Sequence, residues 1–162
     1  MNLKQWWISR NLIKQAYKAK EITGLPASIV SSQAILETGW LKSVPKDINT
    51  GENSYNLFGI KARESQPHIK CITHEYYDGV KVKTLARFRK YKNYEESFID
   101  YSNLILENPR YKKAVEAKGD PREYIREIVK AGYATDPDYV SKVIQIAESC
   151  GYIPKEKSNE NV

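Results

Sequence analysis

The sequence has 162 residues, 41% of them hydrophobic and 11% aromatic, which is enough for one domain with a sizeable core. No apolar run reaches the roughly 18 residues of a membrane-spanning helix, so we expect no membrane insertion. The net charge of +6 indicates a polyanionic partner. The lysines are scattered, without an arginine-rich arm or zinc-finger spacing, and an anionic cell-wall polymer suits the charge as well as nucleic acid does.

The two cysteines and two histidines do not form a recognisable metal-binding pattern. Cys71 and Cys150 lie far apart and outside any CxxC arrangement, so we expect two free thiols, with a disulfide as the alternative. His68 and His74 have no supporting acid–histidine spacing. The sequence therefore predicts neither a metal site nor a cofactor.

Two helices are predicted at the start of the chain. The first covers residues 3–23 and ends at Gly24, and Pro26 suits the first turn of the second. The inward stripe of the first helix is predicted to hold Trp7, Ile8, Leu12, Ala16 and Ala19.

Glu37 is the most informative residue of the second helix. A helical projection places it near the middle of an apolar arc, with serines and Thr38 on the opposite, solvent-facing side; the arc holds Ile29, Val30, Gln33, Ala34, Leu36 and Trp40. Burial disfavours the charged form of a carboxyl group, which is the condition a general acid requires near neutral pH. The sequence therefore predicts an inward-facing acid suited to glycoside hydrolysis. The alternative is a glutamate at the edge of the core that bends out to solvent or meets an arginine.

A long loop and a hairpin are predicted next. Residues 42–62 are rich in Pro, Asn, Gly and Ser, which is typical of an irregular binding loop. Residues 69–77 and 80–86 alternate around Asp78-Gly79, which predicts a type I′ hairpin. A two-residue turn would place Tyr77 opposite Val80, Glu75 opposite Val82 and Thr73 opposite Thr84.

Three further helices complete the prediction. One begins at Asn93, with Glu96 in a capping-box position, and ends at Pro109. The others open at Asp120-Pro121 and Asp136-Pro137 and end at Gly132 and Gly151. The predicted domain covers residues 1–153, followed by a polar, frayed tail over residues 154–162.

Five motifs occur here in the order in which one family carries them. They are AILETGW (residues 34–40), YNLFGIK (55–61), THEY (73–76), FRKY (88–91) and GYATDP (132–137). With these motifs the chain resembles the peptidoglycan-cleaving N-acetylglucosaminidases of glycoside hydrolase family 73, from about Leu12 to Ile153.

The resemblance implies a fold and a reaction. The fold would be α+β and predominantly α, with a lysozyme-like α-lobe and a small β-hairpin lobe flanking a substrate groove. The reaction would be hydrolysis of the β-1,4 bond after N-acetylglucosamine in bacterial peptidoglycan. The partner would be the peptidoglycan glycan strand, with no nucleic acid and no cofactor, and the protein would be a monomer.

The resemblance also implies roles for particular residues. The general acid of the family falls on Glu37, its second acidic position on Glu75, and a tyrosine associated with the sugar at the cleavage point on Tyr133. The remaining substrate-binding candidates are Gln33, Tyr55, Asn56, Phe58 and Tyr77. Gln33 would alternatively orient the acid or satisfy buried backbone groups.

Two questions of mechanism and setting stay open at the level of sequence. Inversion with Glu75 as base is the first mechanism, and its competitor is attack by the acetamido oxygen of the substrate, oriented by Tyr133. Alternative functions are a lysozyme-fold muramidase or lytic transglycosylase, and a non-catalytic wall-binding or nucleic-acid-binding module. The chain carries no export signal, so we expect a phage lysin or an excised domain of a secreted protein that acts on the cell wall.

Overall fold

A computed structural model of the chain describes residues 1–157 as mainly helical, with one two-stranded antiparallel sheet. In chain order the elements are α1 (Leu3–Thr23), α2 (Ala27–Thr38), β1 (His68–Tyr77), β2 (Val80–Arg89), α3 (Tyr94–Glu107), a 3₁₀ helix (Pro109–Tyr111), α4 (Lys112–Glu116), α5 (Pro121–Lys130) and α6 (Tyr139–Ser149). The predicted α-lobe with a small β-hairpin lobe is confirmed. Within the described residues, none of the helices has the length and apolar character needed to cross a bilayer.

The first helix begins and ends where the sequence indicates. The Asn2 side chain accepts a hydrogen bond from the Gln5 backbone N–H at 2.9 Å, the Gln5 side chain returns the bond, and Gly24 ends the helix at φ 74°. The buried stripe holds Ile8, Leu12, Ala16 and Ala19. Trp7, predicted for this stripe, is exposed instead, because it lies about 100° around the helix from Ile8, beyond the edge of the stripe.

The second helix is buried on all sides, which contradicts the predicted solvent-facing side. Every residue from Leu25 to Ile35 is buried, and α2 contacts α1, α5 and α6. The residues assigned to solvent are all buried: Ser28, Ser31, Ser32 and Thr38. Their side chains are short, so neighbouring helices can approach α2 closely from that side as well.

Two hydroxyl groups on α2 are satisfied by the helix itself, whereas the buried Ser31 hydroxyl has no partner among the described residues. Ser32 donates to the carbonyl of Ser28 at 2.8 Å, and Thr38 donates to the carbonyl of Ala34 at 2.7 Å. Such bonds let small polar residues enter a core without partners from other elements. A serine in a helical pattern therefore does not indicate whether its side of the helix faces solvent or the core.

The hairpin has the predicted register. Tyr77 lies opposite Val80, Glu75 opposite Val82 and Thr73 opposite Thr84. Asp78 and Gly79 have φ values of 49° and 78°, which fits the predicted type I′ turn. Both strands are longer than predicted and extend to His68 and Arg89.

A short segment of the long loop extends the sheet beyond β2. The Ala62 N–H donates to the Arg87 carbonyl at 3.0 Å, and the Arg89 N–H donates to the Ile60 carbonyl at 2.9 Å. Lys61 forms a bridge with Phe88 between these two bonds. The loop therefore covers the outer edge of β2 at residues 87–89.

Asp100 on α3 fastens the base of the hairpin to the α-lobe. Its carboxylate accepts two bonds from Nη1 of Arg89, at 2.9 and 3.2 Å, and one from the Tyr91 hydroxyl at 2.5 Å. Burial, followed by this bond to Asp100, raises the pKa of Tyr91 well above its ordinary value, so the phenol remains a donor. The two lobes are joined here by a charged, partly buried cluster.

The remaining helices follow the prediction with two differences. Asn93 accepts from the Glu96 N–H at 2.9 Å, as the capping pattern predicts. The turns after Pro109 were not predicted. The last helix was predicted to open at Asp136, but it begins at Tyr139, because the Asp136 carboxylate accepts from the Asp138 N–H and pairs with Lys142, forming a separate turn.

The start of the predicted frayed tail is bonded to the helices. Arg122 donates to the Pro154 carbonyl at 2.7 Å and to the Glu148 carboxylate at 2.8 Å, and the Glu156 N–H also donates to Glu148. The rest of the predicted tail, residues 158–162, lies outside the described residues. Both cysteines are free thiols.

We expect Asp100→Ala to lower the free energy of unfolding by about 2 kcal/mol, because it leaves Arg89 and Tyr91 partly buried without their acceptor. Urea denaturation measures this loss. As a control, Glu64→Ala removes an ion pair with Arg87 at 3.7 Å whose carboxylate is 84% exposed, and it should change stability by less than about 0.5 kcal/mol. Equal effects of the two substitutions would show that Asp100 does not join the lobes.

Candidate active site

Glu37 lies in the last turn of α2, where that helix leaves the core. The three residues Gly39, Trp40 and Leu41 all have left-handed φ values, of 53°, 61° and 64°, so the chain turns sharply directly after the helix. Thr38 supports this turn, because its hydroxyl accepts from the Leu41 N–H at 3.0 Å. The buried helix and the tight turn together hold Glu37 at a defined place on the surface.

The predicted burial of Glu37 is wrong, because its side chain is exposed. A helical periodicity predicts one inner and one outer face for α2. In the structure the helix is enclosed on every side up to Ile35, and only its C-terminal end reaches solvent. Exposure of Glu37 therefore depends on its distance along the helix as well as on its angle around it, because the next residue, Thr38, is buried again.

One oxygen of Glu37 is held by the protein and the other is free. The Tyr139 hydroxyl, at the start of α6, donates to Oε1 of Glu37 at 2.9 Å. Burial and the nearby tyrosine and Glu37 charges raise the pKa of Tyr139 far above its ordinary value, so this hydroxyl stays protonated. Within residues 1–157, Oε2 has no hydrogen-bond partner.

Behind Tyr139, a chain of hydrogen bonds runs into the core. Nε2 of Gln33 donates to the Tyr139 oxygen at 3.3 Å, and the Tyr101 hydroxyl donates to Oε1 of Gln33 at 3.2 Å. Gln33 is 0% exposed, so its predicted contact with substrate is wrong. Its alternative prediction, that it orients the acid, agrees with its position one turn before Glu37.

Glu37 opens into a cleft of about 390 Å³ between the two lobes. The α-lobe and the long loop contribute Glu37, Val44, Phe58 and Gly59 to its walls, and the hairpin contributes Cys71 and Thr73. Cys71 and Thr73 alternate along β1 and share the face that also carries Glu75 and Tyr77. The cleft thus has the two-lobe arrangement that the sequence predicts.

A second cavity of about 430 Å³ begins on the other side of Phe58. We call it the aromatic cavity; its walls include Phe58, Tyr101, Glu107, Asn108, Tyr111 and Tyr133. The Phe58 ring stacks on Tyr101 at 3.8 Å between centroids, with 9° between the ring planes. Because Phe58 lines both cavities, the two lie next to each other.

Tyr133 lies in the aromatic cavity and close to the residues that hold Glu37. Its ring is 5.8 Å from Tyr139 and 6.0 Å from Tyr101, centroid to centroid. Burial first, and the charge of Glu37 after it, raise the pKa of Tyr133 to about 12. Tyr133 is therefore a neutral hydroxyl beside the proposed reaction centre at physiological pH.

Glu75 is not among the residues that line the cleft with Glu37. Its carboxylate bonds to Nζ of Lys61 at 2.6 Å, and the same ammonium lies 5.2 Å from the centre of the Phe88 ring. Phe88 pairs with Ile69, six residues from Glu75, a separation of roughly 20 Å along a flat strand. The hairpin must therefore curl over this face for Lys61 to reach Glu75.

The other predicted substrate contacts fall at different places. Asn56 is buried, and its amide bonds to the backbones of Ile60 and Arg89, so its side chain shapes the loop. The residue also lines the Glu37 cleft, and its contact with substrate stays a prediction. Tyr55 packs edge-on against Tyr94 at 5.1 Å, outside both cavities. Tyr77 is exposed near the tip of the hairpin.

Sequence reasoning missed Tyr139, Tyr101 and Lys61 as members of the site. Tyr139 is 102 positions from Glu37, and Tyr101 is 68 positions from Gln33. No local pattern marks such contacts, because they arise only when α2, α3 and α6 pack together.

Within residues 1–157, no group of three or more His, Cys, Asp or Glu side chains is arranged to hold a metal ion.

Comparison with known proteins gives relatives over most of the chain. A family profile described as mannosyl-glycoprotein endo-beta-N-acetylglucosaminidase, the glucosaminidase family, matches residues 13–151. The peptidoglycan hydrolase FlgJ of Pseudomonas aeruginosa is 42% identical over 138 residues, covering 84% of this chain and 34% of that protein. The exo-glucosaminidase LytG of Bacillus subtilis is 35% identical over 126 residues, covering 75% of this chain and 43% of that protein. The chain thus spans less than half the length of these relatives.

Solved structures give the same fold. A C-terminally truncated glycoside hydrolase domain of FlgJ from Salmonella typhimurium superposes with a TM-score of 0.77 at 35% identity, covering 92% of this chain and 99% of that domain. The catalytic domain of the autolysin Auto from Listeria monocytogenes gives a TM-score of 0.78 at 27% identity, covering 93% and 86%. With the family profile matched over residues 13–151, the chain belongs to the glucosaminidase family, glycoside hydrolase family 73.

Proposed function

We propose that this domain hydrolyses the β-1,4 bond between N-acetylglucosamine and N-acetylmuramic acid in peptidoglycan, with Glu37 as general acid. The observation that carries the proposal is the state of Glu37. It is an exposed carboxyl group in a groove between two lobes, with one oxygen held by Tyr139 and the other unoccupied. The names of the relatives, peptidoglycan hydrolase and exo-glucosaminidase, support the choice of polymer and sugar.

The acid step follows from this geometry. Oε2 of Glu37 gives its proton to the glycosidic oxygen as the bond from that oxygen to the anomeric carbon breaks. The leaving sugar departs as an alcohol, and Glu37 becomes a carboxylate. The bond that Tyr139 donates to Oε1 strengthens as this negative charge develops, which favours the transition state.

The aromatic cavity suits a sugar ring. Aromatic side chains offer apolar faces to the C–H faces of sugars, while tyrosine hydroxyls, Asn108 and Glu107 provide polar groups at the edge. Phe58, which separates this cavity from the Glu37 cleft, marks a boundary between adjacent sugar positions. Tyr133 lies beside Tyr139 and can orient the acetamido group of the sugar at the cleavage point.

The group that completes hydrolysis is proposed to be Glu75. It would take a proton from water as the water oxygen bonds to the anomeric carbon, and the configuration would invert. This requires about 6.5–9.5 Å between the two carboxyl groups, with room for the water. Glu75 is held by Lys61 outside the lining of the cleft, so substrate must draw the hairpin inward.

The engagement of Glu75 with Lys61 also favours a second candidate mechanism. The acetamido oxygen of the substrate would attack the anomeric carbon, and Tyr133 would orient it, without any need for Glu75. A lysozyme-fold muramidase or lytic transglycosylase would also work with one acid. The place of action is proposed to be the bacterial cell wall, where the polymer is found.

We expect Glu37→Gln to reduce kcat on peptidoglycan by about 10²–10⁴-fold, because an amide cannot donate the acid proton. The fold should be retained, since the side chain is exposed and a glutamine oxygen can still accept from Tyr139. Loss of turbidity of a peptidoglycan suspension measures the rate. The matched control is Glu52→Gln, an exposed acid paired with Lys90 outside both cavities, which should keep wild-type activity. Wild-type clearing by Glu37→Gln would overturn the proposal.

We expect Glu75→Gln to reduce kcat by about 100-fold and wild-type cleavage to release the α-anomer of N-acetylglucosamine at the new reducing end. Proton NMR of a fresh digest identifies both the sugar and the anomer. Glu64→Gln, an exposed acid before the hairpin, is the control. A β-anomer with an active Glu75→Gln enzyme would replace the base mechanism by acetamido attack. An anhydromuramic end would overturn hydrolysis altogether.

A further inference from the structure

We infer that the series of hydrogen bonds from Tyr101 through Gln33 to Tyr139 positions the acid proton of Glu37 on Oε2, the oxygen that has no hydrogen-bond partner among the described residues. The inference rests on the proposed role of Glu37 as general acid. It concerns three residues that act through one another and are absent from the walls of the Glu37 cleft. Tyr139 is thus a positioning residue, and Gln33 and Tyr101 determine how Tyr139 is oriented.

The hydrogen bonds of this series can point in either of two directions, and only one direction suits catalysis. In the first, Tyr101 donates to Gln33, Gln33 donates to Tyr139, and Tyr139 donates to Oε1. Oε1 is then an acceptor, so the carboxyl proton must sit on Oε2. In the reverse direction Oε1 would carry the proton and point it at Tyr139, away from any sugar in the cleft.

Each hydroxyl group and the amide constrain the next. A tyrosine hydroxyl has one proton, so once the Gln33 amide donates to the Tyr139 oxygen, the Tyr139 proton is directed at Glu37. The amide can donate there only while its oxygen faces Tyr101, whose hydroxyl donates to it at 3.2 Å. After the proton transfer, Glu37 is a carboxylate that only accepts, which favours the same direction.

Burial keeps this arrangement intact. Gln33, Tyr101 and Tyr139 are 0%, 3% and 5% exposed, so water cannot readily replace any member of the chain. Leaving a buried polar group without its hydrogen-bond partner destabilises the folded protein, so this series of hydrogen bonds resists reorientation. Burial also raises the pKa of Tyr101 and Tyr139 far above their ordinary values, and both remain neutral donors through the working range.

Tyr124, in the same core, provides a matched control substitution. The Tyr124 hydroxyl is also buried, at 0% exposure, but it has no hydrogen-bond partner among the described residues. Tyr124→Phe therefore removes a buried hydroxyl group by the same atomic change as Tyr139→Phe, and it leaves the hydrogen bonds among Tyr101, Gln33 and Tyr139 intact. Any effect common to both variants reports on packing, and any difference reports on the bond to Glu37.

We expect Tyr139→Phe to lower kcat by about 10- to 100-fold with KM within about twofold, because the developing carboxylate loses a charge-assisted bond. The high-pH side of the kcat–pH profile should move to higher pH, because loss of the donated hydrogen bond disfavours the ionised form of the acid. A purely structural defect would lower kcat without moving that side of the profile. Tyr124→Phe should leave kcat and both sides of the kcat–pH profile unchanged.

Gln33→Met provides the second, independent variant, because it keeps the side-chain length and leaves Tyr139 in place without its partner. We expect the same direction of change with a smaller size, about 3- to 10-fold in kcat. Circular dichroism verifies that each variant is folded. The inference would be overturned if Tyr139→Phe and Gln33→Met both kept the wild-type pH dependence of kcat while Glu37→Gln was inactive. The proposed function would then still stand. An active Glu37→Gln would remove the proposed function itself.

Discussion

The enclosure of α2 is the constraint on which the rest of the site depends. A helix buried from Leu25 to Ile35 by neighbours on all sides cannot rotate or slide without opening cavities in the core. Its C-terminal end is therefore a fixed point, and the left-handed turn at Gly39 stops the helix two residues after Glu37. Rigid placement of one carboxyl group follows from packing that involves no charged residue at all. The long loop and the hairpin then need only form the opposite wall of the cleft.

The core and the site are also joined by polar contacts. Gln33 is one of the few large polar side chains that are fully buried, and its two partners come from α3 and α6. A polar network in a core specifies a unique arrangement, because each misplaced member leaves an unpaired group. The helices that meet at Gln33 are thus held in one register relative to one another. The position of Tyr139, and with it the environment of Glu37, follows from that register.

Local signals in the sequence predict much of this structure. The turn at Asp78-Gly79 determines the register of the hairpin, and Asn2, Gly24 and Asn93 mark helix ends. The surroundings of α2 are not a local property. Its serines resemble a solvent-facing side in sequence, but they are buried against neighbouring elements, and Ser32 bonds to its own helix. The bonds of Glu37 to Tyr139 and of Glu75 to Lys61 depend on packing between distant segments, which periodicity cannot reveal.

The ion pair between Lys61 and Glu75 has a consequence for how a long polymer enters. Both side chains are substantially exposed, and such pairs contribute about 1 kcal/mol or less. The curl of the hairpin is therefore fastened by an interaction not much larger than thermal energy, while its base is tied firmly to Asp100. A tip fastened this weakly is expected to open without unfolding either lobe. For the proposed peptidoglycan substrate, such an opening would let an internal stretch of an unbroken strand enter the groove sideways, with no need to thread from a free end.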